Sequence, residues 1–225
     1  MQSPSGGPAT WDRIWSHCQH APVKRDVILR ELDRVVRATG ASTILDLGCG
    51  PARQTITLAR KYNLEATLVD YSRSGLELAQ KYAESLGLSA SRIHCHEANI
   101  FCFKTGNRFD IVYSGGLHEH FRGVERQLAF DLMTNFARKK VIVVVPNKSS
   151  IPYWLHRIYL HLRRDWKVGY EDPFLFTELK TRMERSGLRQ VSVKCLDWIL
   201  DKGVLEGTFQ GTLLCGEGTK RVNVT

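Results

Sequence analysis

The chain has 225 residues, 43% hydrophobic and 24% charged, the balance of one folded domain with a proper core. Its purest apolar run is Val141 to Val145, far short of a bilayer span, so no transmembrane segment is expected. A net charge of +9, from 32 Lys and Arg against 23 Asp and Glu, favours acidic partners such as phosphates, nucleic acid or a membrane surface.

Met1 to Thr10 is rich in Ser, Gly and Pro, with no basic start and no apolar stretch. It reads as a disordered tail rather than a secretory signal, leaving residues 11–225 as one domain. Trp11 to Arg37 reads as one or two helices, because Val27, Ile28, Leu32, Val35 and Val36 fall at helical spacing and Gly40 offers a stop. A strand follows over Thr43 to Leu47, then a helix from Pro51 to Lys61, with proline at the first helical position. A second strand (Ala66 to Asp70), a helix (Ser74 to Leu86, closed by Gly87) and a third strand (Arg92 to His96) come next. His94-Cys95-His96 invites a zinc reading, but strand alternation puts the two histidines on one face and Cys95 on the other, so no metal site is expected. Phe109 to Ser114 reads as strand four, Val124 to Phe136 as a helix, and Lys140 to Val145 as a fifth strand covered on both faces. Between Ile151 and Trp166 the residues Ile151, Trp154, Leu155, Ile158, Tyr159, Leu162 and Trp166 step at three and four, giving an apolar, aromatic helical stripe. Three readings of it stand: a helix packed on the body, a lid over a substrate, or a basic amphipathic helix resting on a membrane. A loop over Gly169 to Pro173 leads to a helix from Thr177 to Ser186, opened by Thr177 and closed by Gly187. Two last strands, Gln190 to Leu196 and Thr208 to Cys215, flank a turn around Asp201-Lys202-Gly203 and are expected to pair as a hairpin. Strands alternating with helices predict an α/β fold with a doubly wound parallel sheet.

Chemistry concentrates in Ile44-Leu45-Asp46-Leu47-Gly48-Cys49-Gly50, where an apolar strand ends in an acid and then turns through two glycines. Such glycines permit positive φ and let backbone approach a ligand, while the next helix aims its free N–H groups into the site. A second acid, Asp70, ends the next strand, where it can accept bonds from both hydroxyls of a ribose. The third glycine of a dinucleotide fingerprint is missing, with Arg53 in its place, and no Gly-Lys-Ser/Thr marks a P-loop. An acid two residues before the first glycine would repel a pyrophosphate and suits a cationic ligand. The six cysteines are scattered without a C-x-x-C, which reads as reduced thiols in a cytoplasmic protein.

These segments, with Phe109 to Phe121 and Val143 to Asn147, closely resemble class I S-adenosylmethionine (SAM) methyltransferases of the small-molecule branch. The resemblance covers roughly Trp11 to Gly216. It implies a Rossmann-like seven-stranded sheet, mostly parallel with the last strand antiparallel, plus N-terminal helices and a helical lid insertion after strand five, about residues 148–172. SAM is the implied cofactor. Asp46, Gly48, Cys49 and Gly50 would hold its methionine part, Asp70 its ribose and Tyr71 its adenine. Asn99, between Ala98 and Ile100, stands where the family often has an acid that bonds the adenine amine; Ser114 and Gly115 would line the sulfonium side. Two features depart from the family. Its Lys/Arg-Pro-Gly-Gly turn before strand five is replaced by Asn135-Phe136-Ala137-Arg138, and Gly116 replaces the acid that some relatives use to bind a divalent metal. His118, Glu119 and His120 follow strand four, near the expected methyl position; one histidine is a candidate base, and the alternative is that both only shape the loop. The N/D-P-P-Y, Pro-Cys and double-acid signatures of macromolecular methyltransferases are absent. A small-molecule acceptor is therefore expected, anionic or lipid-like, with Trp11, Trp15, His118, Trp154 and Tyr159 as its walls. A nucleic-acid methyltransferase and a non-catalytic SAM-binding protein are the alternatives, and peripheral membrane contact is a further option.

Overall fold

A computed structural model describes residues 7–17, 26–196 and 211–220. The alternating strands and helices pack as one sheet. Strands β1 (Thr43–Leu47), β2 (Glu65–Asp70), β3 (Ile93–Glu97), β4 (Phe109–Gly115), β5 (Ala137–Pro146), β6 (Arg189–Leu196) and β7 (Leu213–Thr219) lie in the order β3-β2-β1-β4-β5-β7-β6. β1 pairs in parallel with both β2 and β4, while β7 runs antiparallel to β5 and β6. This is the expected Rossmann-like seven-stranded sheet, mostly parallel with β7 antiparallel. Its order reverses at β1, where a crevice opens at the carboxyl ends of β1 and β4.

Helices cover both faces. On one side α2 (Val27–Thr39), α3 (Arg53–Tyr62) and α4 (Arg73–Ser85) bury Leu32, Val36, Ile56, Leu58 and Ala79 against Ile44, Leu68 and Ile111. On the other, α5 (Gly123–Phe136) and α7 (Phe176–Arg185) pack Phe130, Met133 and Leu179 on Leu45, Val112 and Val143. Asp26 caps α2 by accepting from Leu29 N at 2.8 Å, and Gly40 ends it with φ 53°.

Several boundaries differ from the sequence reading. Helix α1 (Pro8–Ser16) begins inside the stretch read as a tail to residue 10, of which residues 1–6 lie outside the described set. α3 starts at Arg53 rather than Pro51, because Ala52 takes a left-handed φ of 50° and forces one more turn before the helix. Leu175, not Thr177, precedes α7, and no side chain caps that helix. The expected turn at residues 201–203 and the start of the last strand at 208–210 lie outside the described residues; the strand itself runs Leu213–Thr219. Helix α6 (Ile151–Leu162) does form, yet its apolar stripe faces solvent, and only Tyr153 among its residues is buried.

Candidate active site

A cleft of about 920 Å³ opens at the carboxyl ends of β1, β2 and β4. Its floor is the turn after β1. Gly48 and Gly50 have φ of 68° and 48°, and the N–H groups of Gly48 and Cys49 both donate to the carbonyl of Val69, at 2.8 and 3.2 Å. Asp70 locks this turn to β2: Oδ2 accepts from Gly50 N at 2.7 Å and Oδ1 from Ser72 N at 2.8 Å. A Cβ on Gly50 would come 2.8 Å from the Trp15 ring, and one on Gly75 would come 3.2 Å from the Gly50 Cα. The two glycines therefore let α1, α4 and the turn meet. α3 begins at the edge of the cleft with no side chain capping it, and its first residues, Arg53 and Gln54, line the space.

Asp46 does not line the cleft. It is buried beneath the turn, where Oδ2 accepts from Thr55 Oγ1 at 2.6 Å. Loss of hydration, reinforced by the nearby Asp70, pushes its carboxyl up to about 7. Burial also raises Asp70, though the Ser72 and Gly50 N–H groups pull it back. The Asp46 carboxyl joins the end of β1 to α3 and is not part of the cleft lining. Ser114 is likewise fully buried, its hydroxyl toward Met133 Sδ at 3.5 Å, and is not a lining residue.

Along one wall run Tyr71, Ala98, Asn99 and Ile100. Asn99 Oδ1 is engaged locally by Phe101 N at 3.0 Å. The rest of the lining comes from Gly115, Gly116, Leu117, Glu119, His120 and Phe121, and from Trp11 and Trp15 of α1, with Leu117 against Gly48 and Trp15 against Gly50. Trp11 stacks on Trp15 at 6.0 Å and sets its ring edge-on to His120 at 5.2 Å. Asp12 pins α1 over the cleft by accepting from Ser72 Oγ and Ser74 N, at 2.7 and 3.0 Å, at the start of α4. Those bonds hold its carboxyl below the usual carboxylate range.

The two histidines of the 3-10 turn His118–His120 have different surroundings. His118 is a core residue. Its ring lies 4.2 Å from Phe130, its Nε2 is 3.1 Å from Met133 Sδ, and desolvation drives its pKa down to about 3. It is not among the residues that line the cleft. His120 does line it, and its Nδ1 lies 2.7 Å from the Tyr170 carbonyl. A carbonyl only accepts, so Nδ1 carries the proton and Nε2 keeps the lone pair. Burial lowers the His120 pKa, which keeps the ring neutral near pH 7.

Glu119 is also buried at the cleft, with Oε2 lacking a partner. Burial, then the neighbouring Glu171, push its carboxyl well above the ordinary range. Glu171 itself lines the cleft, bonded to Tyr153 Oη of α6. The loop carrying it is clamped: Arg126 donates to Asp172 Oδ2 at 2.7 Å, Asp172 N donates to Glu119 O at 2.9 Å, and Arg122 stacks on Tyr170 at 3.6 Å. Of the expected lid, about residues 148–172, only Val168 and Glu171 reach the cleft; Trp154 and Tyr159 do not, because α6 turns them outward. Sequence reasoning missed Tyr113, Glu171, Gly75 and Arg53. Tyr113 was findable, since it stands two residues before Gly115 on one strand face, and its hydroxyl would lie 2.2 Å from a Cβ there. Glu171 carries no local signal.

Residues 44–140 match the family described as "Methyltransferase domain". The chain is similar to release factor glutamine methyltransferase of Bacillus anthracis, 30% identical over 96 residues, covering 41% of this chain and 34% of that protein. It thus spans about a third of the length of that curated relative. In structure it resembles magnesium protoporphyrin IX methyltransferase of Synechocystis PCC 6803 with bound S-adenosylhomocysteine (SAH), with TM-score 0.65, 16% identity, and 97% and 95% of the two chains covered. It also resembles the N-methyltransferase NodS of Bradyrhizobium japonicum WM9 in complex with SAH, with TM-score 0.64, 15% identity, and 95% and 98% covered. Residues 44–140 are thus the part that matches a methyltransferase domain, and the two solved structures share the fold of the chain.

Proposed function

We propose that this chain transfers the methyl group of SAM to a small-molecule acceptor, with His120 as general base. One observation carries the reading: a single cleft joins the Gly48–Gly50 turn and Asp70 at one end to His120, Glu119 and Glu171 at the other. The cofactor end fits its group. A cradle closed to any Cβ at Gly50 suits close backbone approach, Asp70 retains lone pairs for ribose hydroxyls, and Tyr71 with Ile100 gives an apolar slot for adenine. Arg53, at the start of α3, lines the cleft and would pair with the carboxylate of the methionine part.

When bound, SAM supplies an activated methyl carbon on a sulfonium leaving group. The chain's own part is to orient and dehydrate the acceptor and take its proton. Trp11, packed on His120, and Phe121 exclude water from the acceptor end. Tyr170 fixes the His120 tautomer through Nδ1, so Nε2 receives the acceptor proton. Glu119, unpaired at Oε2, orients the acceptor through a hydrogen bond. The acids at this end favour a neutral or cationic acceptor group over the anionic one expected from net charge alone. About 920 Å³ lies at the upper end of small-molecule sites, which supports room for cofactor and acceptor together. Five free thiols among the described residues support a reducing, cytoplasmic setting. Incubating the chain with methyl-labelled SAM and a metabolite extract tests the reading. A labelled small molecule is expected, with yield lost in His120→Gln; label found only in nucleic acid or protein would refute it.

A further inference from the structure

Helix α6 is built inside out relative to the other helices of the sheet's two layers. Ile151, Leu155, Ile158 and Leu162 are 61%, 62%, 53% and 80% exposed. At 100° per residue these four form a central strip. Trp154 and Tyr159, also exposed, flank it on either side, for an outward apolar arc of about 140°. Both flanking rings keep a polar tip engaged: Trp154 Nε1 donates to Lys148 O at 2.8 Å, and Arg163 Nη1 donates to Tyr159 Oη at 3.1 Å. Ile151–Leu162 contains no acid. Cations border the strip instead. Arg163, Arg164 and Lys167 are exposed at its end and Lys148 at its start; Arg163 pairs with Asp165 and Lys148 with Asp172, so the rim keeps a cationic excess through Arg164 and Lys167. The Arg157 guanidinium lies over the Trp166 ring at 4.5 Å.

We propose that this outward face docks on an anionic lipid bilayer. An aliphatic strip edged by Trp and Tyr and rimmed with Lys and Arg matches a membrane interface from hydrocarbon to headgroup. Charge complementarity selects lipid phosphate over a neutral or basic partner, in keeping with the net charge of +9. The face is convex and continuous rather than grooved, as a helix lying in an interface requires. The opposite, inward side of the same helix adjoins the cleft. Tyr153 Oη of α6 bonds Glu171, Arg157 donates to the Glu171 carbonyl at 3.1 Å, and Val168 lines the acceptor end. If the methyl-transfer reading holds, on which this clause alone rests, the acceptor enters from the lipid surface and is itself amphiphilic.

The test is co-sedimentation of the full chain, without cofactor, with phosphatidylcholine vesicles that contain or lack phosphatidylserine. Binding to the phosphatidylserine vesicles is expected, weakening as salt is raised. The double substitution Leu155→Glu with Leu162→Glu should weaken it about tenfold or more. Because both side chains are exposed, melting temperature and SAH binding by calorimetry should not move. Arg163→Glu with Arg164→Glu leaves the apolar strip intact and should abolish the preference for phosphatidylserine, which keeps the proposal testable should the first variant misfold. No binding to either vesicle, or binding unchanged in both variants, would overturn it. So would a dimer in sedimentation equilibrium that the Leu155/Leu162 variant dissociates, since the face would then belong to a second copy. SAH binding on the same sample reads the cofactor site separately, so its failure would count against the methyl-transfer reading and not against docking.

Discussion

Replacing Asp70 by Asn probes the joint on which the cofactor end depends. The carboxylate receives two backbone N–H groups, from Gly50 at 2.7 Å and Ser72 at 2.8 Å, one on each oxygen. An amide keeps one acceptor and turns an NH₂ toward the other N–H, leaving a buried donor unmet. A lost bond to a charged group costs about 1.5–3 kcal/mol. Burial already disfavours the Asp70 charge, so removing it returns part of that cost. A net loss of about 1–2 kcal/mol is expected, or a fall in Tm of about 2–8 °C for a chain of this size. Ligand binding should suffer more. The Gly50 N–H no longer holds the turn, and a ribose hydroxyl meets a donor instead of an acceptor, so SAH affinity should fall at least about tenfold. Scanning calorimetry and SAH titration on the same preparation read both effects. A variant with the wild-type Kd would refute the assignment of Asp70 to the cofactor, and an unchanged Tm would refute its role as the lock of the turn.

Three further outcomes follow from the same geometry. His120→Gln should lower kcat by about 10²–10⁴ with SAH affinity kept, whereas His118→Ala should chiefly lower Tm by emptying the space against Phe130 and Met133; equal kinetic effects of the two would contradict the split. Gly115→Ala drives a methyl toward the Tyr113 hydroxyl, 2.2 Å away, and should cost about 1–3 kcal/mol, most of it recovered on adding Tyr113→Phe; a denaturant melt showing no recovery would place the clash elsewhere. Asp46 holds a proton in the folded chain up to about pH 7 that the unfolded chain releases near its ordinary value of 3.8. Its contribution is complete below that lower value and fades as pH rises through about 7, worth at most about 4 kcal/mol. Asp46→Asn should therefore flatten the stability profile between about pH 4 and 7, and parallel profiles for the two proteins would refute the raised carboxyl.

How far the sequence discloses this arrangement depends on how local each feature is. The strand Thr43–Leu47 and the glycine turn are legible because an apolar run, an acid and two glycines all fall within eight residues. The seven strands and the reversed β7 follow from the family resemblance rather than from spacing, and the strand order is seen only in the structure. Where a tertiary contact overrides a local pattern, the reading fails. The apolar stripe of α6 has perfect helical spacing, yet period alone cannot say whether the stripe faces protein or solvent. His118 and His120 are chemically identical in sequence and two positions apart. Only packing against Phe130 and the Tyr170 carbonyl separates a core ring from a lining one. Glu171 reaches the acceptor end because Arg126 and Asp172 fold a distant loop onto the 3-10 turn, a pairing forty-six residues apart that no motif announces.

Calorimetric titration of the intact chain with SAH tests the central claim most directly, since it asks only whether the Gly48–Gly50 turn and Asp70 form a nucleoside cradle. The account predicts saturable one-to-one binding that Asp70→Asn weakens and that His120→Gln leaves in place. A flat titration, or binding of a dinucleotide at the same residues in place of SAH, would contradict it.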